Sequence, residues 1–520
     1  MRKPSRILGA VAVLLALGGC AATGAPPPQA PEPAAEPTPN APPTAPAARA
    51  LPVPLAAVAP VPAQCRAFAT EPAGCRAGSP LELLSEALWI DDPLSRDRAL
   101  VALQTCDAFA PGVLLALRVE LAPAECGDLI VGPALAPEVA PELEQTLTAL
   151  VHAAHLNRLV VTAPRLEPPF SKQQFADFSK TVLEDWVVTQ ARAIYEIAKH
   201  GSTLGGYARG VVAVEAGIAD MRFVSVVRDV PLPEELAQDA ELREAYYAEL
   251  DVALAPWKER GRDAALVGLR EFAAAGVLAD PRVERARELL SELYGGRRID
   301  RLDGLMLPAP PAAASSTIEN LAARLPTQLV PHVLPNLDAN EPRVLALLLR
   351  KGLPRPVRAD LESRPISAEA NFALAWGLVR FGQTYWSSAD FMAAEKLLQR
   401  VPLTPPSELL LGVAQALKAG PRDAVDMMAR GSAPIPVTSL AALDTLAQGQ
   451  GPWAPAAAFD AAYILELWPP PGDPSFWQGL ARRYTQAEAR LSDAGDKARA
   501  KELANAARAT AKSLLPQRSQ

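Results

Sequence analysis

Apolar residues recur at intervals of three and four along most of the chain beyond residue 63, which is the period of an α-helix packed on one face. The stripe at positions 175, 178, 182, 186, 193 and 197 follows Ser171, a suitable N-cap, and stops at Gly201. A second helix over Tyr207–Val227 would form an antiparallel hairpin with it. Strand-like alternation is nearly absent, and Leu159–Thr162 is the best short candidate. The pattern therefore predicts an all-α protein.

Short helices separated by proline-containing turns dominate the last part of the chain. Such turns return every fifteen to twenty residues beyond position 308, the rhythm of helical hairpins that stack into an α-solenoid. In the last pair, Ala500, Ala504 and Ala507 follow a turn at Gly495. This spacing resembles the second helix of a tetratricopeptide repeat, although Glu488 stands in the first helix where that family has a small residue. The resemblance implies a solenoid-like array of tetratricopeptide type.

The first twenty residues form an export signal. Arg2, Lys3 and Arg6 precede an apolar run, Ile7–Leu17, that is far shorter than the ~20 residues of a membrane-spanning helix. The run ends in the sequence Leu-Gly-Gly-Cys, which resembles the lipobox of bacterial lipoproteins. The resemblance implies removal of residues 1–19 and a lipid anchor on Cys20. An ordinary secretory signal with an incidental cysteine is the alternative.

The residue after the lipobox cysteine bears on localisation. Ala21 stands where an aspartate would favour retention in the inner membrane, so the resemblance implies an outer-membrane lipoprotein, which we expect to face the periplasm. Residues 20–63 are rich in proline and alanine and nearly uncharged, which predicts a disordered, polyproline-like tether. No other stretch has eighteen consecutive apolar residues, so we expect the lipid to be the membrane anchor.

Four further cysteines lie close to the tether, at Cys65, Cys75, Cys106 and Cys126. An even number in an exported chain predicts two disulfides. The sequence permits three connectivities, of which we favour Cys65–Cys75 and Cys106–Cys126 because each closes a short loop containing proline or glycine. A zinc site is the alternative, but the spacings do not follow the usual pattern of paired zinc-binding cysteines.

The expected domain boundary is the segment 304–316, which contains Gly304 and the run Pro-Ala-Pro-Pro at 308–311. On this division, residues 64–303 form a disulfide-bearing helical domain and residues 317–520 form the repeat-like domain.

Charge and motifs exclude several function classes. The formal charge is −7, with both signs interspersed rather than gathered into a basic stripe, so nucleic-acid binding is not expected. The chain has no nucleophile elbow, phosphate-binding loop or zinc-protease motif, so we predict no catalytic residue and no cofactor. The glycines between positions 201 and 210 follow a helix rather than a strand, which favours a tightly packed hairpin turn over a phosphate cradle.

Three of the histidines lie where a metal ligand or a structural role has to be considered. His152 and His155 are expected to project from one face of a helix over Glu138–Val160, away from its apolar stripe. Two solvated histidines are the preferred interpretation, and a metal held with a distant carboxylate is the alternative. His200 is expected to interact with the exposed carbonyls at the end of its helix. No metal site is predicted.

Aromatic residues concentrate in the last 150 positions. Five of the eight tryptophans lie there, and they are Trp376, Trp386, Trp453, Trp468 and Trp477. On a concave helical surface such rings would suit a peptide or a glycan, so they form the candidate ligand surface. Core packing between helices is the simpler explanation of the same residues.

These features favour a lipid-anchored, non-enzymatic helical scaffold that binds another envelope protein. The alternative is a peptidoglycan-associated enzyme or an accessory factor of a cell-wall enzyme. The sequence Gly304-Leu305-Met306 resembles a fragment of the lytic transglycosylase signature, but Leu307 and Pro308 follow where that family has a glutamine.

Overall fold

The computed structural model describes residues 49–50, 60–68, 74–75, 77–106, 108–132, 134–136, 138–161, 163–293, 298–310, 316–430 and 437–515. Helices packed against one another make up the described chain, which confirms the predicted all-α class. The strands among these residues are β1 (Arg49–Ala50) and β2 (Ala134–Leu135), which pair antiparallel. Residues 49–50 thus form a strand within the segment that we expected to be a disordered tether.

The helices of the first half are α1 (Pro80–Leu88), α2 (Pro93–Gln104), α3 (Val113–Leu121), α4 (Gly127–Val131), α5 (Pro141–Arg158), α6 (Lys172–Phe178), α7 (Glu184–Gly201), α8 (Gly206–Arg228), α9 (Glu234–Gln238), α10 (Ala240–Ala275) and α11 (Pro281–Leu293). The helices of the second half are α12 (Thr317–Arg324), α13 (Val330–Val333), α14 (Pro342–Lys351), α15 (Arg355–Ser363), α16 (Ala368–Tyr385), α17 (Ser388–Leu398), α18 (Pro405–Leu417), α19 (Ala424–Arg430), α20 (Ala441–Gln448), α21 (Ala454–Leu467), α22 (Pro474–Arg490) and α23 (Ala494–Ser513).

Proline marks the start of many of these helices. Its fixed φ suits the first helical turn, where a backbone N–H has no partner within the helix. The helices that begin at a proline are α1, α2, α5, α11, α14, α18 and α22. This use of proline explains why a chain so rich in the residue is nevertheless helical.

The chain divides into two compact units. The first contains residues 1–77 and 90–264, and the second contains residues 78–89 and 265–520. The division therefore falls within α10 and does not follow the expected boundary at 304–316. The described part of that expected linker, residues 304–310, packs inside the second unit because distant helices hydrogen-bond its backbone.

In the first unit, α5 is the central helix and packs against α3, α4, α7 and α8. Its C-terminal end differs from the sequence prediction. Residues 159–161 form a turn rather than the start of a strand, and Val160 takes a left-handed backbone conformation with φ of 67°. The side-chain oxygen of Gln190 accepts a hydrogen bond from the Val160 N–H at 3.0 Å, which holds this turn.

The predicted hairpin between residues 171 and 227 is present. Ser171 caps α6 as expected, but a π-helical turn at Ser179–Leu183 separates α6 from α7. Helices α7 and α8 then pack against each other. A Cβ atom at Gly201 would collide with Val212, so the close approach of the two helices requires glycine there.

In the second unit, helices that follow each other in the chain pack in sequence. Helix α12 packs against α14, and α14 packs against α16. Helices α16, α17 and α18 then pack in succession, as do α20, α21, α22 and α23. The early helix α1 also packs here, against α12. The guanidinium of Arg324 lies over the Trp89 ring, 3.0 Å from its centroid, and donates a hydrogen bond to the Leu88 carbonyl.

Candidate functional site

The disulfides are the first set of predicted residues that the structure places. It joins Cys65 to Cys126 and Cys75 to Cys106, so all four cysteines are bonded but the favoured short-loop pairing is wrong. The observed bonds span 61 and 31 positions. Sequence neighbours were a poor guide because Cys65 and Cys126 lie in two 3₁₀ turns, Ala63–Phe68 and Ala124–Cys126, that fold against each other.

Cys20 and the export signal lie outside the described residues. Among the described helices, none is long and apolar enough to cross a membrane.

The predicted solvated histidines are buried instead. His152 is 2% exposed and His155 is 6% exposed. The periodicity correctly separated them from one apolar stripe, but other helices surround α5 and cover that second face. His152 Nε2 lies 2.8 Å from His200 Nδ1, so His200 links α7 to α5 through its ring. Burial, followed by the neighbouring His200 and His155, lowers the pKa of His152 to about 3.

His155 belongs to an ionic cluster with α4. Its Nε2 lies 3.2 Å from Oδ2 of Asp128. The Asp128 carboxylate also accepts two hydrogen bonds from Arg158, one to Oδ2 at 2.6 Å and one to Oδ1 at 2.8 Å. Although burial opposes ionisation, these partners hold the pKa of Asp128 well below its usual range. The described residues contain no group of three or more His, Cys, Asp or Glu side chains that could hold a metal ion.

The tryptophans of the candidate ligand surface fall into two sets. Trp376, Trp386 and Trp468 are 7%, 4% and 4% exposed, so they are core residues and cannot form an open surface. Trp453 and Trp477 are half-buried. Two of the buried rings, those of Trp376 and Trp386, nevertheless contact a polypeptide segment, and that segment belongs to the chain itself.

This segment is residues 298–310, which we name the strap. It follows α11 in the chain, makes one 3₁₀ turn at Arg301–Gly304, and continues in irregular conformation to residue 310. Two side chains of α16 and that of Trp386, the residue directly after this helix, hydrogen-bond its backbone. Trp386 Nε1 donates to the Ile299 carbonyl at 2.6 Å, Gln383 Nε2 to that of Leu302 at 2.9 Å, and Trp376 Nε1 to that of Pro308 at 3.0 Å.

Side chains of two further helices, α21 and α23, also hydrogen-bond the strap backbone. The Tyr463 hydroxyl of α21 donates to the Arg301 carbonyl at 2.7 Å, and Arg499 Nη2 of α23 donates to the Gly304 carbonyl at 2.7 Å. Asp460 of α21 accepts a hydrogen bond from the Met306 N–H at 2.8 Å. Together, three helices therefore satisfy six backbone groups of the strap, which is how a non-helical segment can lie in the core without exposing its polar groups to an apolar environment.

The strap also carries apolar residues with a regular spacing. Its buried positions include Ile299, Leu302, Leu305 and Pro308, one every third residue. Gly304 lies between Leu302 and Leu305. A Cβ atom there would collide with the side chains of Tyr463 and Arg499, so the close approach of the strap backbone to these two side chains requires glycine. The Arg499 guanidinium lies 4.9 Å from the Phe459 ring centroid, where a cation–π contact helps hold it.

Asp460 is the most perturbed carboxyl in this region. Its side chain is 0% exposed, and Oδ2 has no hydrogen-bond partner within the described residues. Complete burial raises the pKa of Asp460 to about 7, although the Met306 N–H and the Arg499 guanidinium favour the ionised form. A half-satisfied buried carboxyl costs folding free energy, so its presence beneath the strap needs an explanation.

A cavity of about 870 Å³ lies at the N-terminal end of the strap. Glu284, Glu288 and Glu292 line it at successive turns of α11, and Arg287 and Arg301 line it as well, so charges of both signs face the cavity. Arg298 of the strap lines the same cavity and pairs with Asp300. The strap thus begins with a basic residue at a charged cavity and continues with buried apolar residues.

Sequence reasoning missed this site because the Pro-Ala-Pro-Pro run is typical of a linker. The available signal was the combination of Gly304 with apolar residues at every third position, which is unusual for a linker but has no established motif. The side chains that hydrogen-bond the strap backbone lie between 68 and 195 positions further along the chain.

Comparison of this chain with protein-family models, characterised proteins and solved structures gives no significant match.

Proposed function

We propose that this protein is a lipid-anchored adaptor of the bacterial cell envelope whose second unit binds extended polypeptide. The strap is the observation that carries the proposal. Side chains of α16, α21 and α23 bind six of its backbone groups, and backbone recognition combined with pockets for spaced side chains is how proteins bind extended peptides. A surface built in this way is suited to a protein partner rather than to a small substrate.

The disulfides support the cellular compartment in the proposal. Two bonds between four cysteines are typical of exported proteins, because reducing conditions keep cytosolic thiols unpaired. The lipobox resemblance at Cys20 supplies the anchor, and the outer membrane facing the periplasm remains the proposed location. Because β1 at Arg49–Ala50 is paired with β2, the proposed tether is the segment 21–48, whose length at ~3.1 Å per residue would allow a reach on the order of 90 Å.

The packing order of the second unit supports a solenoid-like arrangement. Helices α16, α17 and α18 pack in succession, as do α20 to α23. In the final hairpin, Ala500, Ala504 and Ala507 are at most 2% exposed, which is consistent with the close helix approach of a tetratricopeptide-like pair. Such arrays present extended surfaces for partner proteins.

The alternative of a peptidoglycan-associated enzyme or accessory factor is less well supported. The Gly304-Leu305-Met306 fragment that resembles a transglycosylase signature belongs to the strap, where Gly304 contacts Tyr463 and Arg499. That packing accounts for the glycine without a catalytic role. We therefore prefer the adaptor.

Membrane fractionation combined with site-specific photo-cross-linking tests the proposal. We expect Cys20→Ala to move the protein from the membrane to the soluble fraction, whereas the neighbouring substitution Ala21→Ser leaves it in the membrane. A photo-reactive residue at Glu288, in the cavity, should cross-link a discrete envelope protein in cells, and one at Tyr195, which is 51% exposed on the first unit, should not. Membrane retention of Cys20→Ala together with no cross-link at Glu288 would contradict the adaptor function.

A further inference from the structure

The strap is held in a manner that suits exchange with another polypeptide. Five of the six hydrogen bonds to its backbone go to carbonyl oxygens and the sixth goes to an N–H, so none of these six depends on the identity of a strap side chain. The requirements on sequence come from the spacing of the buried apolar residues, from Gly304, and from two ion pairs, Arg301 with Glu466 of α21 and Asp303 with Arg287 of α11. A segment from another protein can meet all of them.

One contact is incomplete when the strap occupies this site. Asp460 is fully buried and accepts the Met306 N–H through Oδ1, whereas Oδ2 has no partner among the described residues. The same chain shows how a peptide could supply a second donor. Ser475 donates both its N–H and its hydroxyl to one oxygen of Asp473, Oδ1, at 2.8 and 2.6 Å, so a single serine can bring two donors to one carboxyl group. Methionine at position 306 can donate only its N–H, but serine or threonine there could donate twice.

We propose that the strap is an internal placeholder in a peptide-binding site, and that the site takes an extended segment of a partner protein with the same chemistry. That segment has a basic residue, then apolar residues at every third position, a glycine between the second and third, and serine or threonine in the place of Met306. The hydroxyl gives the partner a contact with Asp460 that the strap lacks. This inference rests on the proposed adaptor function and names the class of its ligand.

Exchange must overcome the covalent linkage of the strap. A tethered segment competes at an effective concentration in the millimolar range for short flexible linkers, so a peptide with no advantage would bind the intact chain weakly. An added hydrogen bond to a buried polar atom that otherwise has no partner improves affinity by about tenfold. The hydroxyl contact is therefore what allows a partner to compete.

The test uses the full chain, purified in detergent, with cleavage sites for one specific protease placed in 294–297 and in 311–315. Double cleavage turns the strap into a bound peptide. We expect a fluorescent peptide with the sequence of residues 298–310 to exchange into the cut protein and to bind saturably. A peptide carrying Met306→Ser should bind about tenfold more tightly. A peptide with one alanine inserted after Leu302, which moves Leu305 and Pro308 out of register, should bind at least tenfold more weakly.

A matched substitution in the protein separates this site from nonspecific binding. Gln383→Ala removes the donor to the Leu302 carbonyl and should weaken all register-matched peptides, whereas Gln399→Ala, beyond α17, should leave them unchanged. Absence of exchange in the cut but folded protein would overturn the proposal. Equal binding of the peptide with the inserted alanine would also overturn it.

Hydrogen exchange of the uncut chain gives an independent result if cleavage unfolds the protein. The proposal requires that the strap amides exchange through a local opening, faster than the amides of α16 and α21. If all of them exchange together through global unfolding, the strap is an ordinary core element and the proposal fails. A negative result in the peptide-exchange test or in the hydrogen-exchange test would leave the fractionation and cross-linking results unaffected. Failure of the placeholder proposal is therefore distinguishable from failure of the adaptor function.

Discussion

Asp460→Asn tests whether the strap is held by a carboxyl that is protonated in the folded state. Asparagine has the same shape and can still accept the Met306 N–H, but it does not titrate. In the wild type, burial raises the pKa of Asp460 from 3.8 to about 7. The folded protein therefore keeps this proton to a higher pH than the unfolded chain does.

The sign and size of the effect follow from proton linkage. Because the unfolded carboxyl ionises first as the pH rises, stability is greatest below pH 4 and falls progressively until about pH 7. Each pKa unit corresponds to about 1.4 kcal/mol, so this group alone lowers stability by about 4 kcal/mol across the whole range. Between pH 5 and pH 8 the expected loss is about 3 kcal/mol.

Urea unfolding followed by tryptophan fluorescence measures this loss, since six of the eight tryptophans lie in the second unit. The difference between wild type and Asp460→Asn should change by about 3 kcal/mol from pH 5 to pH 8, with the variant relatively more stable at pH 8. Other titrating groups cancel in this difference. The exposed Asp338→Asn serves as the control and should show no such change. A flat difference for Asp460→Asn would refute the reasoning.

Three further predictions concern packing, acid stability and disulfide connectivity. Gly304→Ala should lower the free energy of unfolding by about 1–3 kcal/mol in urea titrations, because the added methyl group collides with side chains that hold the strap; an unchanged midpoint would contradict the close approach. Acidification from pH 6.5 to pH 4.5 should cost the wild type about 2 kcal/mol more than His152→Gln, because the depressed pKa of His152 makes the unfolded chain take up the proton first; equal pH dependence in urea would exclude this role. Peptide mapping by mass spectrometry without reduction should find Cys65 joined to Cys126, a bond that stabilises by roughly 4 kcal/mol in the chain-entropy model, and recovery of a Cys65–Cys75 peptide would contradict the fold.

Local patterns predicted the helices well because their signals lie within one or two turns. Ser171 caps α6 through its own side chain, and the glycine at 201 allows the approach of α8. Local patterns do not show whether a second face of a helix is buried or exposed. The spacing of His152 and His155 shows that they share a face, but only the packing of α4, α7 and α8 around α5 determines that this face is buried.

The strap and the disulfides lay beyond sequence reasoning for the same physical reason. Their partners are distant in sequence, as in the hydrogen bond from Arg499 to Gly304, which joins residues 195 positions apart. A proline-rich segment after a glycine has no local signal that tells a linker from a segment buried among helices. For the tryptophans, the sequence allowed both a ligand surface and core packing, and it could not reveal that Trp376 and Trp386 hydrogen-bond the chain's own backbone.

Three departures from ordinary folding rules occur together at the strap, and their joint presence favours a functional origin. Trp386 takes a left-handed conformation with φ of 57°, which is costly for a large side chain, and its indole donates to Ile299. Asp460 is buried with one oxygen unpartnered among the described residues, and Gly304 is required by collision. Each feature could arise alone from packing. Their joint presence beneath one segment is expected if selection maintained a site for extended polypeptide, because proteins break local rules mainly where function requires it.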